Sequence, residues 1–141
     1  MSGSKFCSHV IGYASLSKSQ RTGLRDFQWL RNYTMKIPAL VELLAEEVHP
    51  SSLNRPMWNE VLTSIESGHV KLLIVPSLFH IAACDTGSMS DVLAFLTMHG
   101  VHLKSLKEGI DSRRQTRCEI MMVFKQSVLS IVQREVPDER S

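Results

Sequence analysis

The chain has 141 residues, of which 43% are hydrophobic and 21% charged, and a formal net charge of +2. This length fits one domain with a real core, and so small a net charge carries no global basic signature for nucleic acid or membrane. The three cysteines, Cys7, Cys84 and Cys118, are odd in number and lack CxxC spacing, which argues against a disulfide framework or a structural zinc and fits the reducing cytoplasm.

The polar start, Met1 to Lys5, does not read as a signal peptide, and no apolar run reaches the length of a membrane span. Val10, Ile11 and Tyr13 favour a strand, with Gly12 and the following serines suggesting its end. Ser17 then falls just past that end, where open α/β sheets place their chemistry, although on spacing alone these serines read first as caps of the next helix. Leu24, Phe27, Trp29, Leu30 and Tyr33 recur at roughly helical spacing, so a helix is expected from about Thr22 to Tyr33, with Pro38 closing the segment. Ala39 to Val48 is ambiguous between helix and buried strand. Asn54 is placed to cap a helix with Pro56 in its first turn, and Trp58, Val61, Leu62 and Ile65 form its apolar stripe up to Gly68. Val70 to Val75 is the clearest buried strand. Ser88 or Ser90 can cap a helix running to Gly100. Val101 to Leu106 alternates as a half-buried strand does, and Glu108 to Arg117 reads as a polar, basic loop. Ile120, Phe124, Val128 and Ile131 mark a long final helix to about Glu135. Alternating strands and helices indicate a mainly parallel sheet covered by helices.

Few motifs carry chemistry by themselves. His99 and His102 lack the one-face spacing of a metal pair, so no metal site is expected. There is no GxGxxG, no Walker A pattern and no G-x-S-x-G elbow, and no cofactor is expected. Arg113, Arg114 and Arg117 form a small basic cluster, either a solvated loop or a contact for phosphate or an acidic partner.

Taken in order, these stretches resemble the serine recombinases, the resolvases and invertases. Gly12-Tyr-Ala-Ser-Leu-Ser17 resembles their G-Y-x-R-x-S opening. Ser51 to Arg55 resembles S-x-x-x-R, Gly68 to Val75 resembles G-x-V-D-x-L-V-V, and Val101 to Gly109 resembles V-x-x-x-S-L-x-E-G. Ile120 to Glu135 resembles the start of the long dimer-forming helix. The resemblance implies an α/β fold, with a mainly parallel central sheet of four to five strands flanked by helices and a long C-terminal helix. It also implies that Leu40 to Ala45 is a strand, with Glu46 at the family's acidic position. One domain is expected over 1–141, without a C-terminal helix-turn-helix domain.

In the family the serine attacks a DNA phosphate held by arginines. Ser17 falls on the nucleophile and Arg55 on one arginine. The first-strand arginine falls on Ser15, and the D-R-x-x-R motif falls on Phe79-His80-Ile-Ala-Ala83. Phosphoryl transfer depends on electrostatic stabilisation, so these departures imply a vestigial Ser17 and Arg55 and a protein that is not an enzyme. The expected role is then regulation of a mobile element or prophage by protein binding. An antirepressor capturing a DNA-bound repressor is preferred. The alternatives are an inhibitory partner of an active recombinase and a divergent recombinase using Ser17. The expected contacts are a homodimer through Ile120, Met121, Phe124, Val128 and Ile131, and a partner surface at Phe79, His80, Arg113, Arg114 and Arg117, with weak or no DNA binding.

Overall fold

The computed structural model describes residues 9–16, 23–38, 41–48, 54–82 and 85–135. Its elements in chain order are β1 (Val10–Ser15), α1 (Gly23–Met35), β2 (Val41–Glu46), α2 (Pro56–Glu66), β3 (Leu72–Val75), α3 (Phe79–Ala82), α4 (Thr86–Met98), β4 (His102–Ser105), β5 (Ile110–Asp111) and α5 (Arg117–Glu135). The sheet order is β2-β1-β3-β4-β5. The first four strands run parallel, and β5 returns antiparallel to β4.

Alternation along β1 divides the core. Ile11 and Tyr13 face a large cluster with Trp58, Val61, Leu73, Met89, Leu96, Ile120 and Phe124, contributed by the sheet and by α2, α4 and α5. Val10 and Ala14 face the other side, where Leu30 of α1 and Ile74 complete a smaller cluster. A strand with successive side chains on opposite faces is buried on both, and β1 is buried along its whole length. Gly12 lies inside β1 rather than at its end. The space that a Cβ would occupy there is taken by Leu43 and Leu30, so the glycine admits close packing of α1 and β2.

Several local expectations change. β2 occupies part of the ambiguous segment, and the parallel pairing of Val41–Glu46 with Val10–Ser15 decides it as a strand. Asn54 is not the cap of α2: Arg55 is the cap residue, makes no side-chain capping bond, and precedes Pro56 at the first turn. α4 starts at Thr86, capped by Asp85, whose carboxylate accepts from Gly87 N, instead of at Ser88 or Ser90. The expected loop from Glu108 to Arg117 contains β5, because Leu106 to Gly109 form a turn and Gly109, at φ +69°, reverses the chain. The four-residue α3 has too few turns to show a helical period.

Strand order makes the site. From β1 the chain crosses outward to β2, then returns to pair β3 on the other side of β1. In open parallel sheets such a reversal marks a crevice beyond the carboxyl ends of the two flanking strands, here β1 and β3, where ligands are held. β1 ends into Leu16, and β3 ends into Pro76, Ser77 and α3.

Candidate active site

Three chain segments converge at that crevice. From β1 come Tyr13 and Ser15, from the residue before α2 comes Arg55, and from α3 comes His80; all four are buried. Arg55 Nη2 donates to Tyr13 Oη at 3.0 Å and to the His80 carbonyl at 2.9 Å. Its guanidinium lies 5.0 Å from the Trp58 ring centroid and 5.6 Å from that of Tyr13, a cation–π arrangement that suits a planar cation out of water.

Glu46 at the end of β2 closes the cluster. It accepts from Tyr13 Oη at 2.6 Å, and from the backbone N–H groups of Met57 and Trp58 at 2.9 Å each. These N–H groups belong to the first turn of α2, so a carboxylate from a neighbouring strand does the capping that Asn54 was expected to do. Burial, and secondarily the bond to Glu46, push the Tyr13 phenol well above its ordinary value; Tyr13 is a neutral donor at physiological pH.

His80 joins the other side. Its Nδ1 lies 2.9 Å from Ser15 N, and its Nε2 lies 3.0 Å from Asp26 Oδ2 on α1. The Ser15 hydroxyl donates to the Val48 carbonyl. Below the crevice Glu108 accepts from Ser77 Oγ at 2.7 Å, from Leu78 N at 3.3 Å and from the Ser105 hydroxyl, which fixes the segment leading from β3 into α3.

The positions singled out from sequence separate into groups. Ser15, Arg55 and His80 are brought together. Ser17, Ala83 and residues 51–53 lie outside the described residues. The expected partner surface is in part withdrawn from solvent. His80 is 3% exposed and engaged on both ring nitrogens, and Phe79 stacks on Phe124 at 5.3 Å. Arg113 forks onto Asp111 at 2.9 and 2.8 Å, while Arg114 and Arg117 are exposed. Within the expected dimer set, Ile120 and Phe124 are buried in the chain's own core, and Met121, Val128 and Ile131 are half-buried. Among the described side chains of α5, Met122 and Leu129 are the exposed large apolar ones.

Asp26, Tyr13 and Glu108 were given no site role from sequence. Tyr13 and Glu108 did stand inside the quoted motifs, whereas an acid in the first turn of a helix carries no signal of its own. Among the described residues no cluster of three or more His, Cys, Asp or Glu is placed to hold a metal ion, and no helix is long and apolar enough to cross a membrane.

Comparison with known proteins places this geometry. The family described as "Resolvase, N terminal domain" matches residues 10–141. The fold is similar to the N-terminal catalytic domain of TP901-1 integrase (TM-score 0.65, 14% identity, 90% of this chain and 98% of that one). It is also similar to a resolvase family site-specific recombinase from Streptococcus pneumoniae (0.61, 21%, 89% and 87%) and to a serine recombinase from Sulfolobus solfataricus (0.59, 12%, 86% and 98%). No curated sequence matches the chain. These findings correct the expectation that the protein is not an enzyme: its family and its structural neighbours are recombinases, and membership points to catalytic activity. The antirepressor preference rested on inactivity and loses that footing. With its match over residues 10–141 and the same sheet and helix arrangement, the chain belongs to the resolvase N-terminal domain family.

Proposed function

We propose that the chain is a divergent serine recombinase domain that cuts DNA through Ser17. The observation that supports this is the convergence of positions 15, 55 and 80. They are far apart in sequence, yet Ser15 N and Arg55 Nη2 both bond to His80, each at 2.9 Å. The resemblance assigns all three to phosphate binding, and Ser17 follows Ser15 by two residues.

In the proposed reaction Ser17 Oγ attacks a DNA phosphorus. A serine–phosphate bond forms, the ester bond to one sugar oxygen breaks, and that oxygen leaves with a proton. Arg55 is the cation nearest the end of β1 among the described site residues. To reach a phosphate it exchanges its bond to the His80 carbonyl for one to the ligand. Ser15 and His80, engaged with each other and with Val48 and Asp26, bring no charge to the place where the family has arginines. Each missing donor typically costs about 3–4 kcal/mol of transition-state stabilisation, so slow cleavage is expected.

The test is incubation with a pool of random duplexes, followed by detergent trapping and mass spectrometry. A nucleotide on Ser17, absent in Ser17→Ala, is the expected result. A wild-type chain that yields no adduct overturns the reading. Self-association through α5 is part of this proposal, since Met122 and Leu129 are each 59% exposed on its surface.

A further inference from the structure

We propose that His80 is a positioning residue that fixes the end of β1, and with it the approach to Ser17, as a neutral ring whose tautomer is set by the Ser15 N–H and whose other nitrogen is held by Asp26. The inference rests on the recombinase reading for its catalytic consequence, but the clamp itself rests on backbone geometry. β1 pairs with β3 only from Val10 to Gly12. Among the described residues the β1–β3 pairing does not continue past Gly12, and β3 itself ends at Val75. Leu16 N donates to Glu46 O on the β2 side. Successive N–H groups of a strand point to opposite edges, so Ser15 N–H points to the edge that β3 has left. Ser15 is fully buried, and a buried N–H without a partner is costly. The His80 ring fills that place at 2.9 Å.

The chemistry of the contact then fixes the ring. A backbone N–H only donates, so Nδ1 is the unprotonated acceptor. In the neutral ring Nε2 therefore carries the proton and donates it to Asp26 Oδ2 at 3.0 Å. Among the described residues, the charged and titratable groups around the ring are Asp26 from α1, Arg55 on the His80 carbonyl, and Tyr13 with Glu46 behind it. With both nitrogens engaged, His80 is not a general base for Ser17 while this clamp stands; it acts through the backbone of β1.

Two isosteric changes separate the two ring nitrogens. His80→Asn keeps an acceptor near the place of Nδ1, and His80→Gln keeps a donor near the place of Nε2. Nitrogen-15 spectra of the wild type are expected to show His80 with a bare Nδ1 and a protonated Nε2. Amide exchange at Ser15 is expected to stay slow in His80→Asn and to quicken about tenfold or more in His80→Gln, as loss of one net hydrogen bond implies. Adduct formation at Ser17 is expected to follow the same order, with both variants folded to similar stability. The opposite tautomer, or equal Ser15 exchange in the two variants, overturns the clamp. Separate Ser15 exchange with equal adduct rates overturns its link to catalysis. Absence of any wild-type adduct counts against the recombinase reading alone, and the tautomer and exchange results still decide the clamp. If His80→Gln fails to fold, Asp26→Ala decides instead: the Ser15 N–H should still hold Nδ1 bare and Nε2 protonated, with Ser15 exchange still slow, and a move of the proton to Nδ1 overturns the assignment.

Discussion

Single side chains hold this site by unequal means. Glu46 makes three hydrogen bonds with its two oxygens. Replacing one oxygen by an NH2 group sets a donor against a donor, so Glu46→Gln is expected to cost about 2 kcal/mol, read as a lower urea midpoint with unchanged slope. Asp111 offers a pH test at the opposite end of the sheet. The forked hydrogen bonds from Arg113 lower its carboxyl from the ordinary 3.8 to about 2, against an opposing effect of burial. A carboxyl whose folded value lies below its unfolded one stabilises above the unfolded value. That stability is lost as pH falls through the folded value. Asp111→Asn is therefore expected to be less stable than wild type at pH 7 by about 1 kcal/mol, because Arg113 is half exposed and solvent screens the pair. The gap should shrink to about half near pH 3 and close as pH nears the folded value. A constant gap from pH 7 to 3 would show that Asp111 does not titrate in this way.

At the scale of the element, α5 has two faces with different tasks. Ile120 and Phe124 are sealed in the core, so Phe124→Ala should cost about 3–5 kcal/mol by denaturation, and Phe124→Asp would unfold the chain before it reported on assembly. Leu129 is exposed, and Leu129→Lys is expected to leave stability within about 0.5 kcal/mol while lowering the mass in solution if α5 pairs two copies. An unchanged mass would mean that α5 serves only its own domain. α2 teaches a related lesson. Its apolar stripe was legible from Trp58, Val61 and Ile65, because helical spacing of large apolar residues is a local signal. Its capping was not, because Glu46 lies on another element and arrives only when β2 docks beside β1.

Across the whole molecule, the order of elements and the family were legible in the residues themselves. Runs such as Val70 to Val75, the glycines that end α2 and α4, and the ordered motifs from Gly12 to Glu135 all act through neighbours in the chain. α3 and β5 were missed because four and two residues are too short for either period to register. The site was half legible. Motif positions named Ser17, Arg55, Ser15 and His80, but charge arithmetic alone suggested a dead enzyme, and family membership corrected that. The sequence by itself determined the parallel sheet, the helix faces and the loss of arginines at positions 15 and 80. Only the tertiary structure decided that Ser15 and His80 bond to each other, that Asp26 meets the ring's other nitrogen, and that Arg55 is held by Tyr13 and the His80 carbonyl. The reason is physical: strand and helix periods are written within a few residues, whereas a hydrogen bond across 65 positions exists only once β1 outruns β3 and leaves an N–H to be met.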